Sequence, residues 1–152
     1  MSRRTLMFVC TGNVCRSPMA EYMLRRRLGT DREWDVCSAG TSAGYGMPAS
    51  GSAEEVLSEM GIDLAPHRSR PLTREGVDAA SLIVVMTASH RDFIRTAYPD
   101  AAEKVFLLKS FDPVGSGDVD DPIGMTADTY RAISDEIDRA LPGLMAFMAT
   151  LE

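Results

Sequence analysis

A cysteine at position 10 and an arginine at position 16, with Ser17 and Pro18 directly after, lie in one short run: Val9-Cys10-Thr11-Gly12-Asn13-Val14-Cys15-Arg16-Ser17-Pro18. Gly12 and Asn13 are the residue types that tolerate left-handed backbone. They let the chain curl back between Cys10 and a helix opening near Ser17. A turn of that kind aims successive backbone N–H groups into one concavity at a helix N-terminus, which attracts an anion. Arg16 adds a planar fork suited to two phosphate oxygens at once. The same positive field favours the thiolate of Cys10, the nucleophilic form, and Ser17 is in reach to donate a hydrogen bond to the sulfur. In-line attack on a bound phosphoryl group needs little beyond such positioning and charge stabilisation. A capped loop with a buried cysteine is the plainer reading of the same residues, and Cys-x5-Arg by itself is a weak pattern.

The elements around the loop follow from pattern. Leu6-Met7-Phe8-Val9-Cys10 is a short apolar run stopped by Thr11-Gly12-Asn13, a buried strand. Ser17 as N-cap and Pro18 at the first helical position predict a helix, with Met19, Ala20, Met23, Leu24 and Leu28 at helical spacing and Gly29 as its end. Residues 34–39 predict a second strand, 42–51 a loop, and 53–60 a helix stopped by Gly61. Leu82-Ile83-Val84-Val85-Met86 is too continuous to face water on either side. Helix over 91–98, strand over 105–108 and loop over 112–124 follow. Tyr130, Ile133, Ile137, Leu141, Leu144 and Met148 mark one face of a long last helix, with a kink or break expected at Pro142. Strands alternating with helices predict an α/β fold: one domain over 1–152, a four-stranded parallel sheet with helices on both faces, Rossmann-like. Ligands of such sheets bind beyond the carboxyl ends of the strands. The loop after the first strand lies there.

Composition narrows the classes. At 152 residues, 45% hydrophobic and 25% charged, the chain matches ordinary globular usage. With a net charge of −6 and no polybasic tail, neither nucleic acid nor an anionic membrane is an expected partner. Arg25, Arg26 and Arg27 read as the solvated face of a helix. No long apolar leader and no apolar run of membrane-spanning length appears, so a cytoplasmic location is expected. Three cysteines, Cys10, Cys15 and Cys37, are too few and too odd in number for a secreted disulfide framework. The two histidines, His67 and His90, lack zinc-ligand spacing to them. No metal or cofactor is implied, because Arg16 and backbone amides already neutralise a phosphate.

Cys10 and Arg16 with Ser-Pro after them, Gly-Asn inside the loop, the run CTGNVCRSPMAE, the stretch Ser38-Ala39-Gly40-Thr41 and a late Asp-Pro together are highly specific. They resemble the low-molecular-weight protein tyrosine phosphatases, from Phe8 through the last helix. The resemblance implies a cysteinyl-phosphate mechanism on phosphorylated protein substrates, in a monomer. Cys10 would be the nucleophile, Arg16 the phosphate clamp, and Thr11, Gly12, Asn13, Val14, Cys15 and Ser17 the rest of the phosphate-binding loop. The family's general acid is the Asp of a late Asp-Pro. Of Asp112-Pro113 and Asp121-Pro122, the second stands just before the last helix, in DDPIGMTADTY, which assigns the acid to Asp121. It would protonate the leaving group and then activate water. Asp112 reads as a turn residue and Asp120 as solvated. Ser38 and His67 are similar to residues that hold the family's loop asparagine, here Asn13. Cys15 matches a neighbour that forms a reversible disulfide with the nucleophile, against the plainer role of a small buried side chain. Cys37 reads as core.

Substrate choice rests on fewer residues. Tyrosine-specific members usually carry a bulky aliphatic residue at the position of Val14 and aromatic residues after the Asp-Pro. The bacterial protein-arginine phosphatases of the family carry Thr and Phe there. Here Val14 lacks the hydroxyl, Ile123 supplies no ring, and Tyr45 is the candidate for an aromatic wall. The runs GDVDDPIG and SAGT look more like the arginine-phosphatase branch. Val14 favours phosphotyrosine, with phosphoarginine as the alternative. Arsenate reductases of the same fold need further cysteines downstream, and none follows Cys37. A non-catalytic phosphopeptide-binding copy would be expected to lack Cys10, Arg16 or Asp121, and all three are present.

Overall fold

The computed structural model describes residues 3–30 and 33–151. Strand β1 (Arg4–Cys10) lies at the centre of a parallel sheet of order β2-β1-β3-β4, with β2 Trp34–Gly40, β3 Leu82–Val85 and β4 Val105–Leu107. Cys10 pairs opposite Gly40 on one side, and Val9 opposite Val85 on the other. Helices α1 (Arg16–Leu28), α2 (Gly51–Glu59), α3 (Arg74–Ala79), α4 (Ala88–Ala97) and α5 (Ala127–Thr150) complete the fold.

The two-residue period of β1 divides the core. Leu6, Phe8 and Cys10 face a layer built from α1, α2 and α5, where Met19, Leu24, Leu57, Ile137 and Leu141 are buried. Met7 and Val9 face the opposite layer, with Val77 of α3 and Ile94 of α4. Each such fully buried side chain contributes about 1.5–3 kcal/mol, and together they leave β1 no freedom to slip register. The chain thus presents the ends of β1 and β3 at the same edge, where the strand order reverses.

Several elements differ from the sequence reading. Cys15, not Ser17, is the residue preceding α1, and Ser17 makes no cap because its hydroxyl is turned to Cys10. Pro18 is then the third helical residue, where a missing N–H still costs nothing. Helix α4 starts three residues early, because the Thr87 hydroxyl caps the backbone N–H of His90 at 3.2 Å. Helix α3 was not expected: it is six residues long with one buried side chain, Val77, too short for a period to register. The expected break at Pro142 does not occur, and α5 runs through it unbroken. Only the bond to the Asp138 carbonyl is lost, while Ile137, Leu141, Leu144 and Met148 hold the helix to the core along its length. The neighbouring Gly143 admits the Phe111 carbonyl oxygen 2.4 Å from where a Cβ would stand.

Candidate active site

The loop between β1 and α1 is turned inside out by its surroundings. The carbonyl of Cys10 accepts the N–H of Thr41, that of Thr11 the N–H of Ser42, and that of Val14 the N–H of Ser50, each at 2.9 Å. The Asn13 carbonyl accepts from His67 Nε2 at 2.8 Å, which fixes the proton of that imidazole on Nε2. With its carbonyls drawn outward, the loop aims its N–H groups inward. Among the described residues no N–H of Thr11 through Cys15 finds a protein acceptor. Gly40 makes the packing possible, since a Cβ there would meet the Thr11 oxygen at 2.4 Å. Asn13 carries the left-handed turn, at φ 58°, while Gly12 has ordinary backbone.

The Asn13 side chain is fully buried and ties the loop to α1, to β2 and to the Arg70 backbone. Its Nδ2 donates to Ser17 Oγ at 2.8 Å and to Ser38 Oγ at 2.9 Å, and its Oδ1 accepts the Arg70 N–H at 3.0 Å. Ser17 Oγ accepts from Asn13 and lies 2.8 Å from Cys10 Sγ; against a thiolate, which has no proton to give, the hydroxyl is the donor. Ser38 in turn donates to the buried Glu21 carboxylate at 2.5 Å, and Arg25 holds that carboxylate from the far side at 2.7 Å. A hydroxyl donating to sulfur stabilises the thiolate over the thiol.

Cys10 lies at the floor of a hollow of about 220 Å³, with Gly12, Cys15 and Arg16 beside it, Val14 and Ile123 as walls, and Thr11 and Asp121 at the mouth. Arg16 is buried at 4% exposure, donating from Nη1 to the Val119 carbonyl at 3.0 Å, with Nη2 3.7 Å from Asp121 Oδ2. The Asp121 carboxylate also accepts the Ile123 N–H at 3.0 Å, and Pro122 behind it is buried. Cys15, though it also lines the hollow, engages other partners with its sulfur. Its sulfur lies 3.3 Å from Tyr130 Oη and 3.5 Å from Ser50 Oγ, and burial pushes its thiol pKa up. That keeps Cys15 a thiol near neutral pH. Both cysteines are free.

The family model for low molecular weight phosphotyrosine protein phosphatases matches residues 5–152. The chain belongs to that family. The phosphatase is 41% identical to a protein-arginine-phosphatase of Geobacillus stearothermophilus, over 95% of this chain and 96% of that one. It is also 41% identical to a probable low molecular weight protein-tyrosine-phosphatase, EpsP, of Ralstonia solanacearum, over 78% of each chain. The solved YwlE arginine phosphatase from Geobacillus stearothermophilus superposes with a TM-score of 0.88 at 40% identity, covering 97% and 94% of the two chains.

The structure of this phosphatase brings Cys10, Arg16, Asp121, Val14 and Ile123 to one hollow, and Ser38 and His67 onto Asn13. Tyr45 is not brought there. Gly46 N–H bonds the Ser69 carbonyl at 2.9 Å and Met47 N–H bonds Ser69 Oγ at 3.0 Å. That pinning turns Tyr45 toward a different hollow, beside Met7, Cys37 and Arg70, so it forms no wall of the site. Asp112 lies away from the hollow. Its carboxylate is buried against Val114 N–H at 2.9 Å and Arg139 at 3.3 Å, which hold its pKa below the ordinary range. Asp120 is exposed.

Sequence reasoning missed Glu21, Arg70, Tyr130 and His90. His90 is the most informative of these. Buried at 5% exposure, its Nε2 lies 2.8 Å from Thr11 Oγ1 and its Nδ1 3.0 Å from Thr87 Oγ1. Burial, then the Arg16 charge, lower its pKa to about 4, so it is neutral at neutral pH. The Thr-x-x-His spacing at the start of α4 was the available signal.

No helix among the described residues is long and apolar enough to cross a membrane.

Proposed function

We propose that this phosphatase hydrolyses phosphotyrosine on protein substrates in two in-line displacements at Cys10. The Cys10 sulfur attacks phosphorus, the bond from phosphorus to the phenolic oxygen breaks, and Asp121 gives that oxygen its proton. Water then attacks the cysteinyl phosphate, Asp121 takes up the water's proton, and the sulfur–phosphorus bond breaks to release inorganic phosphate. Arg16 and the inward N–H groups of the loop carry the charge of the three equatorial oxygens through both steps. The observation that supports this most is the convergence on one hollow: a hydroxyl-stabilised sulfur at the floor, the Arg16 fork beside it and the Asp121 carboxylate at the mouth.

Asp121→Ala is expected to lower kcat/KM on phenyl phosphate by roughly a hundredfold or more, within the usual range for a general acid. The loss shrinks on dinitrophenyl phosphate, whose leaving group needs no proton. Asp120→Ala, at an exposed position, changes little. Asp112→Ala costs stability through the lost bonds of its buried carboxylate to Val114 N–H and Arg139 rather than turnover. A larger catalytic loss in Asp112→Ala than in Asp121→Ala would reject the assignment.

For the substrate, Val14 decides. It presents methyl groups to the hollow, an apolar wall that suits a phenol ring. A guanidinium would leave N–H donors unmet on that side, at about 1–3 kcal/mol each. Phosphoarginine is the second reading, favoured by relatives at 41% and 40% identity that are named protein-arginine-phosphatases. The two readings separate in kcat/KM measured side by side on peptides carrying each phosphoresidue. The parent enzyme is expected to favour phosphotyrosine, and Val14→Thr to shift the ratio toward phosphoarginine by about tenfold. A parent that already prefers phosphoarginine overturns the choice.

A further inference from the structure

The segment that carries Asp121, residues 113–126, is largely exposed: Val114, Ile123 and Met125 all stand in solvent. Most of its hydrogen bonds are local, such as Val114 N–H to Asp112, Ile123 N–H to Asp121 and Met125 N–H to the Pro122 carbonyl. Two adjacent residues join it to the sheet edge. Asp118 Oδ1 accepts the N–H of Ala88, the first residue of α4, at 2.8 Å. Val119, with no exposed surface, donates its N–H to the Met86 carbonyl at 2.8 Å and accepts Arg16 Nη1 on its own carbonyl.

The place where Asp118 docks is itself registered on the phosphate loop. His90, in the same first turn of α4, bonds Thr11 through one ring nitrogen and the cap residue Thr87 through the other. The neutral ring needs one donor and one acceptor partner, and the two threonine hydroxyls can supply both, so His90 bridges Thr11 and Thr87 in either tautomer. A carboxylate at the start of α4 also meets the unpaired N–H groups and the positive end of that helix. One path therefore runs from Thr11 through His90 and the first turn of α4 to Asp118, three residues before Asp121.

We propose that Asp118 is a positioning residue for proton transfer: by capping α4 it sets the height and angle of the Asp121 carboxylate above Cys10. This rests on the reading of Asp121 as the general acid. Asp118 touches no reacting atom, so its removal leaves phosphate binding and sulfur attack intact and loosens only the proton donor. Misplacing a catalytic group by a fraction of its working distance costs about tenfold or more.

The test compares kcat/KM on phenyl phosphate and on dinitrophenyl phosphate for the parent, Asp118→Ala, Asp118→Asn, Asp121→Asn and the Asp118→Ala/Asp121→Asn double variant. Asp118→Ala is expected to lose about tenfold on phenyl phosphate and less than about twofold on dinitrophenyl phosphate. Asp118→Asn keeps an acceptor oxygen for Ala88 and recovers most of the loss. The double variant is no slower than Asp121→Asn alone, since there is no longer a proton donor to position. Equal losses of Asp118→Ala on both esters, or losses that multiply in the double variant, overturn the proposal while leaving Asp121 as the acid. If Asp121→Asn itself fails to discriminate between the esters, the reading of Asp121 falls and this inference with it.

Discussion

Cys10→Ser is expected to lose at least about a thousandfold in kcat on aryl phosphates, the scale seen when a covalent nucleophile is removed. The substitution changes one atom and leaves its setting in place. Asn13 still holds Ser17, His67 still holds the Asn13 carbonyl, and the loop keeps its shape. What is lost is the nucleophile itself: an alkoxide is far less accessible in water than a thiolate, and an alcohol is a much weaker nucleophile. Inorganic phosphate should therefore inhibit binding of a product analogue in Cys10→Ser about as well as in the parent. Cys15→Ser serves as the contrast. Its sulfur is engaged by Tyr130 and Ser50, so that variant is expected to retain turnover. Turnover in Cys10→Ser within tenfold of the parent would sink the assignment.

The second large loss is expected from Arg16→Lys, about a thousandfold in kcat/KM, as for guanidinium groups that clamp a transferring phosphoryl. Charge is conserved and geometry is not. Lysine offers a point charge where two parallel N–H donors are required. It also gives up the bond from Nη1 to the Val119 carbonyl and the approach of Nη2 to Asp121, so the phosphate loop and the acid segment lose their direct link. The signature is a weaker affinity for inorganic phosphate together with a lower kcat, where Asp121→Ala lowers kcat/KM with phosphate affinity largely kept. A lysine variant within tenfold of the parent would mean that bidentate geometry contributes little here.

How far the sequence could be read depends on the range of each interaction. Strand β1, strand β3 and the apolar face of α5 are written as local periodicity, and they appear where that pattern places them. The phosphate loop was legible too, because Cys10, Asn13, Arg16 and Ser17 lie within one turn of chain. Ser17 carries two sequence readings, a helix cap before proline and a partner of the Cys10 sulfur. The second holds, with the hydroxyl 2.8 Å from the sulfur, and the cap position falls to Cys15 instead. Glu21 reads as one more polar helix residue until Ser38 arrives from β2 to meet it. Tyr130 looks like core, yet its hydroxyl reaches Cys15 across 115 positions of sequence. Tyr45 stood in a loop whose direction is set by four bonds to Ser69, which no local pattern encodes. Pro142 does not break α5 because a helix anchored on both sides of a proline tolerates one missing bond.

The central claim is that phosphate passes through Cys10, and trapping the intermediate tests it most directly. In Asp121→Ala the base for the second displacement is gone, so hydrolysis of the cysteinyl phosphate slows. Dinitrophenyl phosphate, which needs no acid, still loads the sulfur. Rapid mixing of that variant with excess substrate, an acid-free quench that preserves the sulfur–phosphorus bond, and peptide mass spectrometry should find one phosphoryl group on the peptide containing Cys10. A burst of dinitrophenol close to one per enzyme should accompany it. Linear product release with no burst and an unmodified Cys10, or a phosphoryl group on any other residue, would contradict the account.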